Sequence, residues 1–256
     1  NKIPKFALLN KTLKKIIMKK IILLITAITF LFTACKKDEP LDTQLTINFT
    51  QTINSNTISQ DNLNYTNAAN QNYSVKQLAY LISDITLHDE NGGNTLLKEM
   101  HFIDIDKPET LSFTINKLAN AHYTSVSFSF GLDTSKNISN LYVNEDFHST
   151  MAWPDMMGGG YHYMILEGNF NNDTTFYNTH IGGTMGMDFS FSNSNAINFL
   201  ANAETSSASL TLNMEVNNWY NSPNEITLTT DGIMGNSNMQ MHLKQNGANV
   251  FSTTID

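Results

Sequence analysis

The chain reads as an all-β protein, an antiparallel β-sandwich of about seven to nine strands with a short C-terminal helix. Three observations predict it. Short segments with period-two alternation of apolar and polar residues recur along the chain. Gly, Asn and Asp clusters separate them as turn signals. Charged residues make up only 15% of the chain against 41% apolar, and Asn, Thr and Ser take the surface places instead.

The N-terminus reads as an address. "MKKIILLITAITFLFTAC" runs from Met18 to Cys35. Lys19 and Lys20 form a basic start, Ile21 to Phe32 an apolar run, and Thr33-Ala34-Cys35 a small-residue cleavage site. The apolar run is shorter than the ~20 residues of an ordinary membrane span. Leu31 to Cys35 resembles a bacterial lipobox, which implies cleavage before Cys35 and lipid attachment to its sulfur. Residues 1–17 are expected to precede the true start, 18–34 to be a signal peptide, and 35–43 a lipidated tether. "CKKDEP" resembles the surface-export signals of Bacteroidetes lipoproteins. The expected location is the outer membrane, periplasmic or surface-exposed, with the lipid on Cys35 as anchor.

Cys35 is the single cysteine, so the domain at 44–256 is expected to hold no intrachain disulfide and no thiolate metal site. The net charge of −8, with much of the positive charge in the signal region, argues against nucleic acid as a partner.

The elements follow in order. "QLTINFTQTI" puts Leu45, Ile47 and Phe49 on one strand face. "SVKQLAYLISDITLHDENGG" is a strand ending in a turn at Asn91-Gly92-Gly93. "LSFTINKL" is another. "YTSVSFSFGLD" predicts Val126, Phe128 and Phe130 on one face, with Tyr123, Ser125, Ser127 and Ser129 on the other. "GYHYMILEGNFNNDTTFYNTHIGG" reads as a hairpin around Asn171-Asn172, and "SLTLNMEV" as a further strand. "NSNMQMHLKQNG" carries helical propensity with an Asn/Ser N-cap and an Asn246-Gly247 C-cap. One domain is the economical reading.

The motifs "FSFGLD" (128–133), "MAWP" (151–154), "GYHYMILEG" (160–168), "HIGG" (180–183) and the tail "NNWYNSPNE…GIMGN…NGANVFS" resemble the MbnP-like copper-binding proteins. The likeness spans roughly Leu45 to Ser252. It implies a β-sandwich and a mononuclear copper site made of two histidines and a tryptophan oxidised to kynurenine. It also implies a partner diheme peroxidase. By position, His180 matches one family histidine and Trp153 the first tryptophan of a two-tryptophan segment whose second place is Asp155 here. The other family histidine maps near Ile138, which is no ligand.

Local residues offer a replacement. If the hairpin turn centres on Asn171, His162 faces His180 and the pair can clamp one ion. If Asn171-Asn172 is a two-residue turn, His180 pairs with Tyr163 and His162 with Ile181. Met151, Met156, Met157, Met164, Met185 and Met187 lie nearby in sequence. Thioether plus imidazole favours Cu(I), and Gly158 to Gly160 permit a backbone fold that brings Met156 and Met157 over the histidines. The candidate metal ligands are therefore His180, His162, Met156, Met157 and His148, with Trp153 the candidate oxidised residue. Met164, Met214 and Met241 read as core. His88, His101, His122 and His242 read as surface or turn residues. No nucleophile elbow, zinc-protease motif or phosphate loop is present, and the chain is not expected to be an enzyme. The competing expectation is a metal-free β-sandwich that binds a glycan or protein partner at a rim shaped by the glycine loop.

Overall fold

A computed structural model describes residues 42–60, 62–202 and 204–256. The expected upstream segment, signal peptide, lipidated Cys35 and the tether as far as Leu41 lie outside the described residues. Thr43, assigned to the tether from sequence, instead opens the first strand with a fully buried side chain.

In chain order the strands are β1 (Thr43–Ile53), β2 (Asn56–Thr57), β3 (Tyr65–Thr66), β4 (Asn72–Tyr73), β5 (Gln77–Asp89), β6 (Asn94–Asp104), β7 (Ser112–Leu118), β8 (Ala121–Phe130), β9 (His162–Asn169), β10 (Phe176–Gly182), β11 (Phe191–Ala201), β12 (Ser207–Glu215) and β13 (Phe251–Ile255). Two α-helical segments are described, α1 (His148–Met151) and α2 (Ser237–Asn246). One sheet runs β13-β12-β1, with β7 and β2 along the far edge of β1. The other runs β10-β9-β5-β8-β11, with β6 on the opposite edge of β5. Pairing is antiparallel except for β1 with β12.

The sandwich expected from the sequence is present, and ten of its strands have five residues or more. β11 escaped the sequence reading because its burial alternates between exposed and half-buried, which leaves only a thin apolar signal. Leu45, Ile47 and Phe49 of β1 are buried, as the alternation predicts. In β5 the run Leu78 to Ile82 is buried without interruption, the pattern of a strand covered on both faces. The sheets meet through aromatic contacts: Phe130 of β8 lies 5.8 Å from Phe251 of β13, ring to ring, and Gln51 Nε2 of β1 donates to Tyr80 Oη of β5 at 2.9 Å.

Three placements differ from the sequence reading. Met241 of α2, read as core, is 40% exposed. Tyr123 is buried with Val126, Phe128 and Phe130 rather than facing out with the serines. The pairing of β8 shifts between Tyr123 and Ser125 against both neighbours, and that slip turns Tyr123 inward. His101 is buried in β6, stacked on Phe49 at 4.7 Å, and is not a surface residue.

α2 forms as expected at its start, where the Asn236 side chain accepts a hydrogen bond from Met239 N. Its end differs. Gly247 stays in the right-handed region and leads into another helical turn. α2 also closes an exposed edge. Its Gln240 amide donates to His180 O at 2.7 Å and accepts from Gly182 N at 3.3 Å, so two outer backbone groups of β10 are paired by a side chain.

Candidate metal centre

The centre is built on the β9–β10 hairpin. Its turn is longer than either arrangement considered from sequence. Phe170 N donates to Thr175 O, and the Asn172 side chain accepts from the backbone N–H groups of Thr174 and Thr175. This turn chemistry sets the pairs Phe176↔Asn169 through Ile181↔Met164, with His180 opposite Ile165. Both sequence-derived registers are thereby overturned. Continued unchanged, the observed register would send His162 and His180 to opposite faces.

A bulge restores them to one face. After Ile181↔Met164 the next pair is Gly182↔His162, so Tyr163 is an extra residue on β9. One inserted residue inverts the alternation beyond it. His162 therefore turns to the face of His180, and the two imidazole centroids lie 5.1 Å apart at 79°.

The hydrogen bonds assign the ring protons. His162 Nδ1 lies 3.2 Å from Met151 O. A carbonyl only accepts, so Nδ1 carries the proton and Nε2 a bare lone pair. His180 Nε2 lies 2.8 Å from Glu167 Oε1. A carboxylate only accepts, so Nε2 is protonated and Nδ1 is bare. Both bare atoms, His162 Nε2 and His180 Nδ1, are buried without a hydrogen-bond partner among the described residues. Burial, with the neighbouring charge of His180 second, lowers the His162 pKa to about 4. Burial lowers that of His180 to about 4 as well. Both rings are neutral at neutral pH. Glu167 is pushed upward, again by burial.

Trp153 completes the wall. Ala152 bridges to Tyr161, and Trp153 N donates to Gly160 O at 2.9 Å. This pairing lays the segment over the start of β9. The indole meets the His162 ring edge-on at 4.7 Å, and its buried Nε1 has no partner among the described residues. The indole fits because position 182 is glycine: a Cβ there would stand 2.5 Å from Trp153 Cε3.

The structure therefore brings the rings of His162, His180 and Trp153 together. Met156 is 82% exposed. Met157 is half-buried, with its methyl beside Gly235. Gly158, Gly159 and Gly160 do take positive φ, as the sequence suggested, at 116°, 68° and 87°. Beside this turn Met156 faces solvent. His148 holds Tyr161 Oη at 2.9 Å and shares with Trp153 and Asp155 a surface cleft of about 300 Å³. Three contributors escaped the sequence reading: Glu167, the Met151 carbonyl and Gln240. Glu167 had a signal, a carboxylate on the strand paired with His180, but only the register puts it on the right face.

A family model, MbnP, matches residues 42–254. The chain belongs to the MbnP family. Among solved structures it is similar to MbnP from Methylosinus trichosporium, with 11% identity over 83% of this chain and 98% of that chain and a TM-score of 0.54. At that identity the likeness shows a shared fold. The comparison with curated proteins finds no match. Ile138, where sequence counting from the family pattern had landed, is half exposed in a loop. In this MbnP-family chain the second imidazole beside His180 is His162.

Proposed function

We propose that this MbnP-family chain is a cell-envelope lipoprotein that binds copper, as Cu(I), for capture or handling of the metal. One observation carries the reading: two buried imidazoles whose centroids lie 5.1 Å apart each hold a buried ring nitrogen with no hydrogen-bond partner among the described residues. Burying a polar atom unpaired is costly, and a cation bound there would remove that cost. The donor set fits. Imidazole suits copper among the first-row metals, and Cu(I) tolerates low coordination numbers. Glu167 supports the site as a carboxylate behind the histidine, an arrangement that fixes ring orientation and raises ligand basicity. Trp153 is the aromatic at the pair, and the family resemblance would place an oxidised ring there. A diheme peroxidase is the partner that the same resemblance implies. Met156, exposed to solvent, is left out of this ligand set.

The test is a Cu(I) competition titration under reducing conditions. The protein should take up copper at the imidazole pair, and His162→Ala and His180→Ala should each abolish that uptake. Unchanged affinity in both variants would defeat the reading. Because both rings stay neutral down to about pH 4, affinity should hold from pH 7 to 5 and fall steeply below that.

A second reading has its own observation. Asn54, Ser55, Thr66, Asn67, Glu215 and Asn217 line a polar cleft of about 460 Å³, a surface suited to the hydroxyl groups of a glycan. Binding of an oligosaccharide that Asn217→Ala removes, with no copper uptake, would favour that reading instead.

A further inference from the structure

The methionines that do not reach the histidines are gathered elsewhere. Met156 lies in a short helical turn, Asp155–Met157. Met185 and Met187 lie in a tight turn just beyond β10, closed by a bridge between Thr184 and Met187. A hydrogen bond of 2.9 Å from Met185 N to Met157 O ties the two turns together. A third loop joins them: Thr184 Oγ1 donates to Met234 O at 2.8 Å, and the Met157 methyl lies beside Gly235. Met156, Met185 and Met187 are 82%, 66% and 43% exposed.

Met185 is also in an unusual conformation. Its φ is 52°, followed by Gly186 at 80°. Two successive positive φ values mark a turn whose first corner favours Asn, Asp or Gly. A long side chain there is strained, and its packing offers no compensation, because the side chain is mostly exposed. A strained residue at an exposed tip points to a use for its side chain.

We propose that Met156, Met185 and Met187 form a second, solvent-facing site that takes a soft monovalent cation, Cu(I), through thioether sulfur. The site is distinct from the imidazole pair, whose bare nitrogens are buried while these methionine side chains are exposed. Thioethers select Cu(I) over hard cations, and flexible unbranched side chains on adjoining turns can converge on an ion without moving the backbone. The site sits on the two segments that carry the enclosed centre, since Trp153 is followed directly by Pro154 to Met156 and His180 by Ile181 to Met185. An open thioether station there would meet the metal before the imidazoles do. That ordering rests on the copper reading above, whereas the binding itself does not.

The experiment uses the whole protein with methyl-13C-labelled methionine, titrated with Ag(I) as a redox-inert probe and then with Cu(I). The methyl resonances of Met156, Met185 and Met187 should shift together, and those of buried Met164 and Met214 should stay still. The same shifts should persist in the His180→Ala variant, so loss of the enclosed site cannot imitate failure here. Met156→Leu/Met185→Leu/Met187→Leu should lower the bound Ag(I) by one equivalent. Met185→Asn should raise the melting temperature by relieving the turn while weakening Ag(I) binding, a pair of effects that a merely structural methionine would not give. Unmoved methyl resonances, or undiminished stoichiometry in the triple variant, would overturn the proposal.

Discussion

His101 and the pair His162–His180 share burial and titration but differ in what their nitrogens do. All three have pKa values lowered to about 4, with burial the largest cause in each. His101 lies between Phe49 and Phe113, with ring centroids 4.7 and 5.0 Å away, and its Nε2 donates to Thr110 O at 2.8 Å. It is a packing residue with a satisfied donor. His162 and His180 each spend one nitrogen on an acceptor and leave the other bare and enclosed. A lowered pKa therefore marks burial in this molecule, and the orphaned lone pair is what sets the candidate site apart.

The comparison can be broken most directly by substitution. His162→Ala or His180→Ala should abolish copper uptake at the enclosed centre, whereas His101→Phe should leave Cu(I) affinity unchanged in the same titration. Copper loss in His101→Phe would erase the distinction. Glu167→Gln should come next. Losing the charge that orients His180 should weaken Cu(I) binding roughly 10- to 100-fold, the usual cost of disturbing a ligand's supporting partner. Unaltered affinity would reduce Glu167 to a surface contact.

Stability in the metal-free protein should treat the three histidines alike. Each has a folded pKa near 4 against about 6.5 in the unfolded chain. Between those values the unfolded state binds more protons, so stability rises with pH and is lost as pH falls from about 6.5 to about 4. The loss should be on the order of 2–3 kcal/mol per histidine across that window, read from denaturant melts at several pH values. His101→Phe should flatten the dependence by about one third, the share of one histidine in three. A flat profile in the native protein would contradict the buried, neutral state of these rings. The smallest effect expected is optical. Cu(I) should quench Trp153, which touches His162, so Trp153→Phe should remove the metal-dependent part of the fluorescence change. Trp219, packed against Phe130 at 5.0 Å, should contribute none.

Much of the fold was legible in the sequence because burial and period agree in β1, in most of β8 and in the N-cap of α2. The site was legible in residue type but not in geometry. Counting from Asn171 or Asn172 gave two registers, and neither formed, because Asn172 caps a longer turn through its side chain. The sequence carries no mark that Tyr163 is inserted out of register, yet that residue decides which way His162 points. His101 was misplaced for a related reason. Its neighbours in "KEMHFID" show no clean alternation, so its burial depends on the facing Phe49 of the other sheet. The glycines were read correctly as permissive, but their turn directs Met156 to solvent rather than to the histidines.

The most direct measurement is a long-range 1H–15N correlation of the histidine side chains, recorded without metal and with Cu(I). His162 should show a protonated Nδ1 and a bare Nε2, and His180 the reverse. Copper should then shift the two bare nitrogens and leave His101 untouched. The opposite tautomer at either ring, or a response at His101 in place of the pair, would contradict the assignment of the metal centre.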